Sequence, residues 1–157
     1  MKQLTKILSL IIAVITIFTF VGCDKGSDGD NLNSFYTKTV ESQALLDDLA
    51  DDIYSNWYDA IYDDDFGGNI NLAIAAAFAT HDENVNTIEA NDAVIQDLYK
   101  SVRDGDQSDI VKEVLHAYTD YYEFVMNVSG SFNSYSAGKE TKKKALATAL
   151  KNLSYEI

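Results

Sequence analysis

The sequence predicts an all-α domain, an antiparallel helical bundle of four or five helices, and three observations predict it. From about residue 34 onward, apolar residues recur at three- and four-residue steps, the period of a helix with one buried face. No stretch of useful length alternates with the period of two expected of a strand. Proline, the strongest helix breaker, is absent from all 157 residues. Short polar or glycine-bearing stretches separate the periodic segments, as antiparallel neighbours require. Each apolar face can be buried only against another, at about 25 cal/mol per Å² of apolar area removed from water.

The chain opens with a different kind of segment. Lys2 and Lys6 precede residues 7–21, which are apolar apart from Ser9, Thr16 and Thr19. This is the n-region and h-region of an export signal. It is shorter than the roughly 20 residues needed to cross a bilayer. The run closes on Phe20-Val21-Gly22-Cys23. Small residues ahead of a lone cysteine resemble the lipobox of bacterial lipoproteins, although that class usually has Leu where Phe20 stands. The resemblance implies cleavage between Gly22 and Cys23, diacylglycerol on the Cys23 sulfur, and a lipid-anchored product at the extracytoplasmic face of the cell membrane. Two acyl chains suffice for stable attachment. Cys23 is the only cysteine, so an intrachain disulfide and a cysteine-based zinc site are both excluded. The expected division is a signal peptide over 1–22, a lipidated flexible tether over 23–33 and a helical bundle over 34–157.

The formal net charge is −13, and it becomes −15 once the two leader lysines are removed. Nucleic acid is thereby excluded as a partner, because it requires a basic footprint. Adhesion of the domain body to an anionic lipid surface is disfavoured for the same reason. The charge is uneven. Residues 24–65 carry 12 acids and 2 lysines, whereas residues 139–157 carry 5 lysines and 2 acids. The lysine-rich tail fits either a place beside the acidic first helix or a solvated face.

The elements follow in order. Residues 24–33, DKGSDGDNLN, are polar and glycine-bearing, as a tether is. Calcium loops of the EF-hand type starting at Asp24, Asp63 or Asp104 would need Glu at the twelfth position. Those positions hold Phe35, Ile74 and Leu115. The first helix, 34–64, carries Leu46, Leu49, Ile53, Trp57 and Ala60 on one stripe. Its aspartates read as a solvated face, and no Glu-x-x-His motif of a bundle metal site is present. Phe66-Gly67-Gly68-Asn69 ends it. Residues 69–103 hold a seam of Ile74, Phe78, His81, Val85, Ile88, Asp92, Ile95, Tyr99 and Val102. Thr80-His81-Asp82-Glu83 fits a capping box, which would divide this segment into a short helix and a longer one. After the turn at 104–107, Ser108 and Asp109 suit the start of a third long helix. Its expected stripe is Val111, Leu115, Tyr118, Tyr122, Val125, Ser129 and Phe132, widened by Tyr121 and Phe124. Residues 131–138 read as a polar loop, and 139–153 as the last helix, with Leu146, Leu150 and Leu153 inward. A core this rich in tyrosine must place its hydroxyls at edges or on partners.

Two stretches carry a second resemblance. Residues 56–62, NWYDAIY, are similar to a VWYNAIY-like segment. Residues 118–136, YTDYYEFVMNVSGSFNSYS, are similar to a YdaYlelt…nPsGSLqSFs-like one, with Val128 in place of Pro and Phe132 in place of Leu. Both segments recur in a family of small helical proteins, many of them lipid-anchored, from Gram-positive bacteria and their mobile elements. The resemblance implies a helical fold and a surface location, and it supplies no catalytic residue. The same stretches suggest that Trp57, Tyr58 and Ile61 plug one end of the bundle and that Phe132 closes it. Polar groups beside aromatic walls make Trp57, Tyr58, Ser129, Gly130 and Ser131 the candidate surface for a ligand or partner.

Catalytic spacing is missing. His81 and His116 are the only histidines, no G-x-S-x-G elbow occurs and no phosphate-binding glycine loop occurs. The expected product is a membrane-anchored extracytoplasmic lipoprotein that is not an enzyme, needs no metal or cofactor, and works by contact with an unidentified protein. Two other roles share these features. One is a superinfection-exclusion or immunity lipoprotein of a phage or plasmid. The other is a small-ligand or cation receptor.

Overall fold

The computed structural model describes residues 28–157, so Gly22, Cys23 and the leader lie outside the described residues. Five α-helices follow one another: α1 (Asp28–Tyr62), α2 (Ile70–Thr80), α3 (Asp82–Val102), α4 (Ser108–Met126) and α5 (Phe132–Leu153). A 3-10 turn, Asp65–Gly68, joins α1 to α2. Among the described residues there is no strand. α2 and α3 form one broken rod antiparallel to α1, so the bundle has four rods running up, down, up and down. α1 packs closely on that rod and on α5, and α4 packs chiefly on α5. α4 also packs against α1, and its tyrosine hydroxyls reach polar groups there.

α1 begins six residues before the expected Ser34, so 28–33 are helix rather than tether. The reason is burial: Leu32 and Phe35 extend the apolar stripe by another turn. Leu46, Leu49, Ile53, Trp57 and Ala60 are all buried, as the periodicity predicts. Thr39 also lies inside, and its hydroxyl donates to the Phe35 carbonyl at 2.7 Å. The exit from α1 is left-handed: φ is 58° at Asp64, 56° at Phe66, 60° at Gly67 and 70° at Gly68. Glycine adopts this region at no steric cost, whereas Phe66 pays for it.

The 69–103 segment is two helices, broken at His81 (φ −103°, ψ 25°). The expected capping box does not form. Thr80 Oγ1 instead donates back to the Ala76 carbonyl at 3.0 Å. The break is held by His81 itself, whose Nε2 lies 2.8 Å from Asp52 Oδ2 and whose Nδ1 lies 3.0 Å from Asn84 Nδ2. With Nε2 protonated, one tautomer satisfies both contacts. On α3 the buried polar residue is Asn91, with Asp92 turned partly outward. An amide costs less to bury than a carboxylate.

The stripe of α4 is Val111, Val114, Tyr118, Tyr121 and Val125. Leu115 and Tyr122 flank it half-buried, and Ser129 and Phe132 fall beyond the helix end. Tyr121 rather than Tyr122 faces α1, where its hydroxyl donates to Asp47 at 2.7 Å. Residues 132–138, expected as loop, are the first turns of α5. A capping box between Ser131 and Ser134 starts that helix, and fully buried Tyr135 fixes it to the core. Leu146, Leu150 and Leu153 point inward as expected. The lysine-rich helix does pack beside α1: Lys139 pairs with Asp51, and Lys143 with Asp47 at 3.1 Å.

A cleft at the end of the bundle distal to the first residue of α1

Three segments converge where α1 ends. They are the last turns of α1, the start of α2, and the turn from α4 to α5. Between them lies a cleft of about 630 Å³, lined by Trp57, residues 68–71, Ile74 and residues 128–130. Trp57 forms part of the wall while being only 4 % exposed. Its ring packs on Tyr135 at 5.6 Å and edge-on against Phe132 at 6.0 Å. The indole Nε1–H is shielded from water and has no hydrogen-bond partner among the described residues.

Local sequence explains the walls. Asn69 caps α2 by accepting from the Leu72 N–H at 3.1 Å, and Asn56 Nδ2 donates to the Ala73 carbonyl at 3.2 Å, tying α2 to α1. Opposite, Gly130 has φ +90°, and a Cβ there would lie 2.8 Å from Ser134 Oγ. Any other residue would strain the turn and disturb the cap that starts α5.

Of the five candidate residues, the structure brings Trp57, Ser129 and Gly130 to the cleft. Tyr58 and Ser131 are not among its walls. Tyr58 is 41 % exposed and packs on Tyr62 at 4.6 Å, outside the core it was expected to plug, and Ile61 is equally exposed. Ser131 accepts from the Ser134 N–H at 3.3 Å, a capping role. Phe132 does close this end, against Tyr54, Trp57, Tyr58 and Tyr62. Sequence reasoning missed Gly68, Asn69, Ile70, Asn71, Ile74 and Val128. The Gly67-Gly68-Asn69 break was the available signal, since a chain reversal there must face the other reversal at 127–131.

The shifted carboxylate and ammonium lie beside the middle of α1 rather than in the cleft. Burial, partly offset by His81, holds the Asp48 carboxyl above the usual carboxylate range, and Asp47, Asp51 and Asp52 add to the effect. Partial burial works against the Lys143 ammonium, yet its hydrogen bond to Asp47 and the neighbouring acids leave it above the usual lysine range. His81 is oriented by Asp52, but Asn84 occupies its other nitrogen, so the pair lacks the free nitrogen that a nucleophile would need. Among the described residues no group of three or more His, Cys, Asp or Glu could hold a metal ion. No described helix is long and apolar enough to cross a membrane. A second, shallower groove of about 440 Å³ runs between α4 and α5 and is lined mainly by small side chains.

No protein-family model matches the chain, and neither a curated protein nor a solved structure resembles it significantly.

Proposed function

We propose that this chain is a lipid-anchored protein of the extracytoplasmic face of the cell membrane, whose helical domain works by non-enzymatic contact with another protein. One observation carries the reading: the lone cysteine, Cys23, stands directly after a charged start and an apolar run too short to span a bilayer. The resemblance to small helical surface lipoproteins supports it. The fold adds a mechanical argument. α1 starts five residues after Cys23, and its 35 residues rise about 50 Å. A domain tied at that cysteine would hold the cleft end well away from the lipid. Its acidic body would also be repelled by anionic headgroups.

Mass spectrometry of the protein from its native host tests the anchor. The expected product begins at Cys23 and carries diacylglycerol on the sulfur, and Cys23→Ala shifts the protein out of the membrane fraction. An intact Met1 with a bare thiol would remove the reading. A measurable chemical turnover by the purified protein would remove its non-enzymatic half.

A further inference from the structure

We propose that the outward face of the last turns of α1 docks a basic segment of a partner protein, one of whose arginine side chains lies between the Asp59 carboxylate and the Tyr62 ring. The proposal rests on the reading of this protein as one that works by protein contact, and it names the surface and the partner's chemistry. Its starting point is an uncovered aromatic shelf. Tyr58 and Ile61 are each 41 % exposed, and Tyr62 is 60 % exposed. Steps of three and four residues put them on one face of the helix. The rings are braced: Tyr62 packs on Tyr58 at 4.6 Å and edge-on against Phe132 at 6.3 Å. Exposed apolar patches built on aromatics mark contact surfaces. The shelf is open, so it suits a protein segment laid across it better than a small molecule, which needs a pocket.

The chain itself shows which partner fits. Two turns earlier, Asp51 and Tyr54 stand three residues apart and together hold the Lys139 ammonium, which pairs with the carboxylate and lies 4.8 Å from the ring centre. Asp59 and Tyr62 repeat that spacing eight residues on, about 12 Å along the helix and about 80° round it. α5 begins beside Tyr62 with Phe132, and its first lysine is Lys139, so the second pair is beyond the reach of the lysines that serve the first. The segments that build this end, 54–80 and 117–138, carry 4 and 2 acids and neither lysine nor arginine. A cation brought by a partner completes the repeat. Arginine suits it best, because a planar guanidinium stacks on a ring while its N–H groups reach a carboxylate. A second copy of this chain, with formal net charge −13, would be repelled, and so would an anionic lipid surface.

The full chain in non-ionic detergent is titrated into fluorescein-labelled Arg-Leu-Ala-Arg-Leu-Arg, and into its counterpart with Glu for each Arg, with anisotropy as the readout. The arginine peptide should bind saturably and more weakly as salt rises, and the glutamate peptide should not bind. Tyr62→Leu changes no charge and keeps an apolar side chain. It should weaken binding about fivefold, the loss of one exposed cation–π contact. Adding Asp59→Asn should bring the loss to about tenfold. Asp106→Asn removes the same charge in the turn at the other end of the bundle, and should change affinity by less than about twofold. Equal losses from Asp106→Asn and Asp59→Asn, with Tyr62→Leu silent, would mean that net charge alone draws the peptide, and would overturn the proposal. So would absence of arginine-peptide binding, or displacement of the peptide by an equal concentration of tetramethylammonium, which would mark a small-cation site. A dimer in sedimentation that Tyr62→Leu dissolves would overturn it too, because a second copy would then cover the shelf. Repeating the titration with Cys23→Ala separates the two readings. Peptide binding that survives there leaves the shelf standing whatever the fate of the anchor, and a null titration on a correctly lipidated protein removes the shelf alone.

Discussion

Raising the pH should unfold this protein through three phenols, and the size of the effect follows from where they sit. Tyr118, Tyr121 and Tyr135 are fully buried. The Tyr121 hydroxyl donates to Asp47 at 2.7 Å, the Tyr135 hydroxyl to the Ala50 carbonyl at 3.4 Å, and the Tyr118 hydroxyl lies 3.3 Å from Ser42 Oγ. Burial raises all three phenols well above the ordinary value; Asp47 adds to it for Tyr121 and Asp51 for Tyr135, while the Ser42 bond opposes it for Tyr118. The fold therefore keeps them protonated where the unfolded chain does not. For an acid whose folded pKa is raised, stability is intact below the unfolded value, near pH 10, and falls as pH climbs past it. Each phenol removes about 1.4 kcal/mol per pH unit in that window, so three remove about 4 kcal/mol by roughly pH 11. Typical domains hold about 5–15 kcal/mol in total. Urea unfolding followed by circular dichroism at stepped alkaline pH reads the slope, and phenolate absorbance should report these three rings only as the helices melt. Tyr121→Phe should cut the slope by about a third. If that variant leaves the slope unchanged, or if all ten tyrosines ionise while the helical signal is intact, the burial argument is wrong.

Three substitutions, with one control and one rescue, test the packing. Lys139→Ala removes an ammonium that pairs with Asp51 and lies 4.8 Å from the centre of the Tyr54 ring. Because Asp51 is 57 % exposed and can rehydrate, the expected loss is about 1–2 kcal/mol. Lys38→Ala, whose pair with Glu41 is on the surface, should cost under about 0.5 kcal/mol in the same urea titration; equal losses would refute the buried placement. Gly138→Ala should lower the melting temperature although alanine is the better helix former, because its Cβ would come within 2.7 Å of the Phe124 ring, which is stacked on Tyr135 at 4.9 Å. Overpacking of this kind costs about 1–3 kcal/mol against roughly 1 kcal/mol gained in propensity, and Phe124→Leu should relieve it. Gly130→Ala should destabilise by about 1–3 kcal/mol through its positive φ, and a calorimetric scan that matches the parent protein would contradict the turn geometry.

The helical class and the buried stripe of α1 were legible because Leu46, Leu49, Ile53 and Trp57 repeat at a period that only one local geometry turns into a face. The break in the second rod was also legible, but not its cause. Thr80 and Glu83 have the spacing of a cap, yet Thr80 turns back to Ala76, and the deciding contact is between His81 and Asp52, 29 residues apart. Tyr121 against Tyr122 on α4 was likewise undecidable from periodicity, since both lie on a broad apolar arc and the choice depends on Asp47 across the bundle. The start of α5 was missed because Ser, Asn and Gly are poor helix formers, and burial of Tyr135 overrides them. Two of the five candidate residues fall outside the cleft for a related reason. Tyr58 and Ser131 adjoin residues that line the cleft, but on a helix the next residue lies 100° away, and at a cap the side chain serves the backbone.

Most acids of α1 and of the turn after it fall into two groups. In the middle of the helix Asp47 and Asp51 are answered by Lys143 and Lys139, and Asp52 by His81. At its end and in the turn beyond it, Asp59, Asp63, Asp64 and Asp65 form no ion pair among the described residues. The lysines of α5 therefore neutralise the shaft of the bundle and leave the rim of the cleft negative. Moving those charges would not alter a single wall of the cleft, but it would change which ligands approach. Replacing Asp63, Asp64 and Asp65 together by Asn should therefore leave the melting temperature close to that of the parent protein, since no ion pair is lost. A drop as large as that of Lys139→Ala would mean that these carboxylates hold the turn between α1 and α2 rather than only charge it.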